Sequence, residues 1–307
     1  QDRAMPNMKV TVTGGGTGYS DQAGAYDIAN GGTTPVTVTA QLDGRWINVN
    51  DVLDGDATFT GTATPGVPFE IRWNDANCND AERDVIDTAR QFALTKVRPR
   101  AREIDEQNRF PSDLVAEMGR LGLFGLHMPE EYGGSGDDIT FMLACEELAR
   151  GSGGLSSIYI TTISLAIGPI VMFGNEEQKR RYIPRVTNEG ATVAFALTEA
   201  MAGSDVAALD MRYSREGDYY ILNGTKIFIT NGAEADFLVT FATKDKALGY
   251  KGISAFIVDK GTPGFSVGKL EKKMGLHPAS AAELVFDNCK VPARNLLGEE
   301  GQGFKIA

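Results

Sequence analysis

The chain has 307 residues, of which 42% are hydrophobic and 23% charged, and its formal net charge is −11. One domain typically takes roughly 100–200 residues, so we expect two or three domains with a sizeable core. The acidic balance argues against nucleic acid or an anionic membrane as an electrostatic partner. Three cysteines are too few for a disulfide framework, and two histidines argue against a multi-histidine metal site.

Composition is uneven along the chain. Both tryptophans, 11 glycines and 11 threonines fall within residues 1–78, which contain only four basic side chains. The remaining residues have no tryptophan and carry most of the lysine, arginine, glutamate and methionine. This contrast indicates two parts of different origin that meet near residues 77–80.

The first part, residues 1–78, is interpreted as a small β-sandwich-like module of foreign character. Short β-branched or aromatic runs between turn residues predict strands at 10–13, 25–28, 36–39, 58–60 and 69–72. The segment SDQAGAY at 20–26 weakly resembles the strand–turn–strand of carboxypeptidase-regulatory-like and immunoglobulin-like modules. That resemblance hints at secretion.

From residue 79 the pattern becomes helical and predicts an all-α domain over 79–190. One apolar helix face is marked by Val85, Ala89, Phe92, Ala93 and Val97. Pro99 is expected to kink or end this helix. Further helices fit 111–121, 139–149, 157–173 and 176–186. We find no run that approaches the roughly 20 apolar residues of a membrane span.

Strand patterns return at residue 191 and continue to about 291, which predicts a β domain. Two strand-like runs, 219–222 and 226–229, flank Asn223, Gly224 and Thr225. An Asn-Gly pair between such runs predicts a hairpin turn. These three residues also match an N-glycosylation sequon, but the predicted turn accounts for them without a glycan.

Two segments carry the residues of greatest chemical interest. FALTEAMAGSD at 195–205 is a strand that enters a turn of small residues, where backbone N–H groups could approach a flat ring or a pyrophosphate. KIFITNG at 226–232 ends a strand with an aromatic, an aliphatic and a hydroxyl side chain before a glycine. Taken alone, each also fits an ordinary strand end.

Together these segments resemble the acyl-CoA dehydrogenase family, and further motifs extend the resemblance over roughly 79–307. They are FP at 110–111, LGLFG at 121–125, PEEYGGSG at 129–136, FGNEEQK at 173–179, YIP at 182–184, KGISAF at 251–256, KMGL at 273–276, VP at 291–292 and LGEEGQGF at 297–304. The resemblance implies an N-terminal helical domain at 79–190, a β-barrel-like middle domain at 191–300 and the start of a truncated C-terminal helical domain at 301–307.

The family implies an FAD-dependent oxidoreductase of fatty acid metabolism. In its reaction a glutamate removes the α-proton of an acyl-CoA, a hydride passes from the β-carbon to flavin N5, and the product is the trans-2-enoyl-CoA. The electrons then pass to electron-transfer flavoprotein. The resemblance also implies a homotetramer at full length and a cytoplasmic location.

Carried over by motif, nine residues would contact FAD: Phe195, Ala196, Leu197, Thr198, Gly203, Ser204, Phe228, Ile229 and Thr230. Thr198 would bond the pyrimidine side of the flavin, and Phe228 would pack on the isoalloxazine ring. Thr230 would place its hydroxyl near N5, where a donor stabilises charge on the reduced ring. Ser204 would also lie near the CoA portion of the substrate.

Two features depart from the family pattern. Ala200 stands where the family usually has proline, which removes a fixed φ from the turn. The family's C-terminal domain, which carries the catalytic glutamate in most members, has no counterpart, so we expect no catalytic base and no turnover. Glu199, Glu234, Glu283 and Glu299 are present, but none matches that glutamate by motif.

Other candidates have ordinary explanations. Asp51, Asp54 and Asp56 miss the alternating ligand spacing of a calcium loop, so we expect no metal site. Cys145 is predicted to be a core residue and His127 a structural one. An alternative to the dehydrogenase is a secreted β-sandwich binding module fused to an inactive dehydrogenase fragment.

Overall fold

The computed structural model describes residues 9–12, 17–19, 36–41, 58–63, 80–135 and 138–307, with side chains from residue 82 onward. The chain divides into two compact units, Gln1–Cys78 and Asn79–Ala307. The second unit contains both segments that carry the candidate site residues.

The first unit contains an antiparallel four-stranded sheet with the order β2-β1-β3-β4. Its strands are β1 (Lys9–Val12), β2 (Thr17–Tyr19), β3 (Val36–Gln41) and β4 (Thr58–Ala63). The strands predicted near 10–13, 36–39 and 58–60 are therefore confirmed. The strands predicted at 25–28 and 69–72, and the aspartates at 51, 54 and 56, lie outside the described residues. A sandwich needs a second sheet, so that architecture stays a prediction.

The second unit begins with helices. They are α1 (Asp80–Phe92), α2 (Arg98–Glu106), α3 (Ser112–Arg120), α4 (Asp138–Gly151), α5 (Gly153–Ile160), α6 (Gly168–Phe173) and α7 (Glu176–Thr187). These helices cover the predicted helical segments, with α2 in addition and the segment predicted at 157–173 divided between α5 and α6. The predicted apolar face is confirmed, since Ala89, Phe92, Ala93 and Val97 are buried and Val85 is half-buried against the core. At the start of α7, Asn175 and Gln178 form a reciprocal capping box, which satisfies backbone donors at the helix start.

The helix continues beyond Pro99, so of the two expected outcomes, a kink or an end, the end does not occur. A π-helical turn, Ala93–Val97, joins α1 to α2, and the Arg98 N–H bonds the Ala93 carbonyl. Pro99 then lies in the first turn of α2, where a missing N–H is tolerated. The widened turn thus lets the chain stay helical up to Glu106.

One helical segment, Gly153–Phe173, is long and apolar enough to cross a membrane by length and composition, contrary to the expectation from sequence. It contains α5, a π-helical turn at Thr161–Ala166, and α6. Of its most apolar stretch, 61% is buried inside the protein. Burial of this extent is typical of a core helix, and the absence of a membrane span stays a prediction.

A mainly antiparallel sheet forms the rest of the second unit, in the order β10-β11-β7-β6-β8-β9-β12, with β5 parallel to β8. The elements are β5 (Val193–Ala196), β6 (Arg212–Glu216), β7 (Tyr219–Thr230), β8 (Phe237–Thr243), β9 (Ile253–Asp259), β10 (Phe265–Leu270), β11 (Ala281–Pro292), β12 (Leu296–Leu297) and the short helix α8 (Gly303–Ile306). Strand β8 is buried along its whole length, so the core runs through it. Among the described strands β10 and β12 do not pair, and a closed barrel is not confirmed.

The hairpin predicted at Asn223, Gly224 and Thr225 is wrong, because β7 runs through these residues without a turn. A Cβ on Gly224 would lie 2.8 Å from Met211, so glycine permits a close approach between chain segments. The Asn223 side chain accepts a bond of 2.8 Å from the Asn288 N–H on β11. The Asn-Gly pair is thus used in packing along the strand.

Asn231, directly after β7, joins the helices to the sheet. Its buried side-chain amide donates to the carbonyls of Ile158 in α5, at 3.2 Å, and of Val193 in β5, at 3.4 Å. The hydroxyl of Tyr182 in α7 donates to Asp259 in β9 at 2.9 Å. These bonds join the end of β7 to α5 and to the start of β5, and the end of β9 to α7.

Candidate functional site

The two chemically interesting segments lie side by side. The N–H of Ile227 in β7 donates to the Thr198 carbonyl at 2.9 Å. The Lys226 ammonium donates to the Leu197 carbonyl at 3.0 Å. The turn that follows β5 is therefore held against the last third of β7, and residues about 30 positions apart share one surface.

A buried ion pair lies beneath this turn. The Lys226 Nζ is 2.7 Å from the Glu199 Oε1, and both side chains are buried. The Glu199 carboxylate also accepts the backbone N–H groups of Asp210, at 2.7 Å, and Met211, at 3.1 Å. Burial lowers the pKa of Lys226 below its usual value, while the Glu199 charge opposes this shift.

Sequence reasoning missed this pair as an organiser of the site. By motif, Glu199 is one of four glutamates that do not match the catalytic base, whereas in the structure its carboxylate binds Lys226 and two backbone donors. The available signal was a lysine within an otherwise apolar strand end. Because a lysine is rarely fully buried without a partner, its position there indicates a buried acidic partner.

The turn after β5 ends in an open, exposed tip. Glu199 and Ala202 exchange backbone hydrogen bonds of 3.0 and 3.2 Å, which place Ala200 and Met201 at the tip. Gly203 and Ser204 follow and are exposed, and a Cβ on Gly203 would meet nothing within 4 Å. This stretch can therefore admit a ligand without rearrangement of its neighbours.

The end of β7 presents an aromatic ring in an unusual backbone conformation. Phe228 is 60% exposed and has a φ of +59°. Few non-glycine residues adopt a left-handed φ, and for a bulky one it is a strained outlier. Thr230 is half-buried, whereas Ile229 between them is buried in the core. Phe228 and Thr230 can thus offer side chains to a ligand, while Ile229 can offer only backbone atoms.

The residues of β5 and of the start of the turn also divide into those with accessible side chains and those with buried side chains. Phe195 is half-buried and packs edge-to-face on Phe241, with 5.1 Å between ring centroids. Ala196 is fully buried, and its carbonyl accepts a bond of 3.0 Å from the Thr240 hydroxyl. Thr198 is partly exposed beside the turn. Of the nine predicted FAD contacts, Ala196 and Ile229 alone have buried side chains.

The remaining acidic candidates have other neighbours. The Glu234 carboxylate accepts a bond from the Ser280 hydroxyl. Glu299 accepts a bond of 3.1 Å from the Gln302 amide, and Glu283 lies beside Gly268. Their positions give no reason to assign any of them as a base.

The prediction that Cys145 is a core residue is confirmed, and the structural role of His127 stays a prediction. Cys145 is buried, and burial raises the pKa of its thiol to about 12. The His127 ring stacks on Phe141 at 5.2 Å and bonds the Asp138 carboxylate. Within the described residues, no group of three or more His, Cys, Asp or Glu side chains could hold a metal ion.

Comparison with known proteins matches this architecture to one family. The family models for the acyl-CoA dehydrogenase N-terminal domain and middle domain match residues 79–190 and 194–289. An acyl-CoA dehydrogenase of Bacillus subtilis is 47% identical over 219 residues, which cover 71% of this chain and 58% of that protein.

Solved structures also match the fold of this chain. Butyryl-CoA dehydrogenase from Megasphaera elsdenii aligns with a TM-score of 0.73 at 43% identity, over 76% of this chain and 62% of that one. A chain from a study of the electron transferring flavoprotein of Acidaminococcus fermentans and flavin-based electron bifurcation aligns with a TM-score of 0.73 at 46% identity, over 76% of this chain and 61% of that one.

This chain spans about three-fifths of the length of these relatives. Its helical and middle domains carry the matching motifs, the matching fold and the paired segments at the ends of β5 and β7. With these two domains, the chain belongs to the acyl-CoA dehydrogenase family.

Proposed function

We propose that this chain is the FAD-binding part of an acyl-CoA dehydrogenase that converts an acyl-CoA thioester to the trans-2-enoyl-CoA. The observation that carries the proposal is Phe228, an exposed aromatic side chain in a strained conformation beside the open turn after β5. Such strain persists where the surrounding structure enforces it, and it clusters at ligand sites. The similarity to a butyryl-CoA dehydrogenase favours a short acyl chain.

The exposed groups fit a flat, hydrogen-bonding ring. Bound FAD supplies the acceptor for the hydride. Phe228 would stack on the ring, and the half-buried Thr230 would direct its hydroxyl toward N5, where a donor stabilises charge on the reduced ring. Thr198 would bond the pyrimidine side, and the open stretch at Gly203 and Ser204 would accommodate the CoA portion.

The α-proton needs an acceptor, and none of the four glutamates weighed from sequence is assigned that role by its position. Glu199 is bound to Lys226 beneath the turn, and Glu234 and Glu299 bond other side chains. We therefore propose that the 307-residue chain binds FAD but shows no turnover by itself, because the base belongs to the family's C-terminal helical domain. Bleaching of the bound flavin on addition of butyryl-CoA would contradict this.

Titration with FAD tests the proposed site. The substitution Phe228→Ala keeps the positive φ but removes the ring, so we expect the Kd for FAD, followed by flavin fluorescence, to rise at least tenfold. Tyr219→Ala is the matched control: it removes an exposed aromatic from the other end of the same strand, and we expect a change below twofold. Equal Kd values for the two variants would refute the stacking role.

We also propose electron-transfer flavoprotein as electron acceptor, a homotetramer at full length, and a cytoplasmic location where acyl-CoA and FAD are available. The family match supports these assignments over a secreted binding module. Sedimentation of the full-length protein, and its reduction of electron-transfer flavoprotein in the presence of acyl-CoA, test the first two. Fractionation of cells that express it tests the third.

A further inference from the structure

We propose that the buried Lys226–Glu199 ion pair is a positioning pair that aims the backbone N–H of Thr198 at the flavin ring. The proposal rests on FAD being the ligand of this site. It concerns two side chains that lie beneath the turn and act on a ligand only through the backbone above them.

The pair is unusual for its burial. Lys226 is fully buried and Glu199 nearly so, with 2.7 Å between Nζ and Oε1. Buried ion pairs are often no more stabilising than apolar residues of similar size, because desolvation offsets the attraction. A buried pair at this position therefore suggests a geometric role in addition to a stabilising one.

The geometric role follows from the second bond of Lys226. Its ammonium donates to the Leu197 carbonyl at 3.0 Å. The peptide unit from Leu197 to Thr198 is planar and trans, so its C=O and N–H point to opposite sides. A carbonyl directed inward at Lys226 therefore leaves the Thr198 N–H directed outward.

The outward N–H is available to a ligand. Within the described part of the chain, no acceptor takes the Thr198 N–H, and Thr198 itself is partly exposed. A flavin ring carries carbonyl oxygens and ring nitrogens that accept such a bond. A donor that is fixed before binding stabilises charge on the ring without reorganisation.

Glu199 holds the lysine and the turn in place. Its carboxylate accepts from the backbone of Asp210 and Met211, just before β6. The Thr198 carbonyl is held by Ile227 at 2.9 Å. The peptide units around Thr198 are thus fixed from β7 and from the segment before β6, which leaves their outer side to the ligand.

Paired substitutions test the proposal. The double variant Lys226→Met, Glu199→Gln removes both charges without leaving either unpaired. The control is Lys269→Met, Glu271→Gln, which removes an ion pair of 2.8 Å with an exposed lysine from the same sheet. We expect both variants to keep the circular dichroism spectrum of the parent. The first should bind FAD at least tenfold more weakly and shift the visible band of the bound flavin, and the control should change neither.

A single substitution separates positioning from charge. Glu199→Gln keeps Lys226 as a donor to the Leu197 carbonyl but weakens the group that holds the lysine, so its Kd for FAD should rise by less than that of the double variant. A folded double variant with the Kd and the flavin spectrum of the parent would overturn the proposal. Loss of affinity in Glu199→Gln equal to that of the double variant would also overturn it.

One measurement needs no variant. In the ¹⁵N-labelled parent chain, the Thr198 amide resonance should shift and its exchange with water should slow when FAD is added. If FAD binds and this amide does not respond, the positioning proposal fails while the proposed function stands. If the parent chain does not bind FAD, the proposed function fails and the positioning proposal fails with it.

Discussion

At the residue scale, the candidate site combines strain with exposure. Phe228 leaves most of its ring in solvent, although an aromatic side chain gains by burial, and it adopts a positive φ that glycine would adopt without strain. Neither property favours folding. A residue with both properties is expected where a ligand provides the compensating contact.

The substitution Phe228→Gly separates stability from binding. We expect it to stabilise the chain without FAD by about 1 kcal/mol, because relief of the positive φ exceeds the small loss of buried ring surface. The affinity of Phe228→Gly for FAD should fall as much as that of Phe228→Ala. Urea denaturation, followed by circular dichroism, measures the first effect. A loss of stability would show that the ring serves packing.

Ala200 gives a second prediction at this scale. It lies at the second position of the turn closed by Glu199 and Ala202, where the fixed φ of proline is favoured. We expect Ala200→Pro to raise the free energy of unfolding by about 0.4–1 kcal/mol, because the unfolded chain loses freedom. Met201→Pro, one position later, should be destabilising instead. Equal effects of both substitutions in urea denaturation would argue against this turn geometry.

At the scale of elements, long-range contacts override local signals. An Asn-Gly pair predicts a turn, yet β7 continues through Asn223 and Gly224 and pairs with β11 on both sides. Pro99 predicts a kink or a helix end, and a π-helical turn carries the helix past it without an end. In both places a local preference of about 1–3 kcal/mol is outweighed by the packing of a complete element.

The glycine within β7 should therefore not tolerate a side chain. Gly224 has a φ of +149°, and a Cβ would lie 2.8 Å from three atoms of Met211. We expect Gly224→Ala to lower the free energy of unfolding by about 2–3 kcal/mol through overpacking and backbone strain. Gly168→Ala, where a Cβ meets nothing within 4 Å, is the control and should be nearly neutral. An unchanged urea midpoint for Gly224→Ala would show that Met211 can move away from β7 without a loss of stability.

At the scale of the whole unit, polar contacts from Asp105 join the helices to the loop between β10 and β11. His277 in that loop bonds the Asp105 carboxylate of α2 at 3.0 Å through Nδ1 and the Lys273 carbonyl at 2.8 Å through Nε2. Since both partners are acceptors, both ring nitrogens act as donors and the protonated ring is favoured. The Lys273 carbonyl, and then the Asp105 side chain, raise the pKa of His277 above 6.5.

This contact predicts a pH dependence of stability. A raised folded-state pKa means that the contribution of His277 is fully present below about pH 6.5 and is lost as the pH rises through the folded-state pKa. The melting temperature of the parent should fall over that interval, and His277→Gln should fall less. Asp105→Asn, which removes the negative charge and one of the two acceptor oxygens, should also reduce the dependence of the melting temperature on pH. Parallel curves for the parent and His277→Gln would contradict the assignment.

Sequence alone determined the element types and the family, because periodic apolar patterns and contiguous motifs are local properties of the chain. The apolar face of α1 and the alternation of strands needed no knowledge of distant residues. Sequence also named the segments at 195–205 and 226–232, and their contact with FAD stays a prediction.

Only the tertiary structure decided how those segments are used. It placed Phe228 outward and Ile229 inward, continued β7 through its Asn-Gly pair, and brought Lys226 to Glu199 beneath the turn. Each outcome depends on neighbours distant in sequence, such as Met211 beside Gly224 and the Leu197 carbonyl beside Lys226. Burial and hydrogen-bond satisfaction are properties of the packed chain, and no local pattern encodes which distant group will provide them.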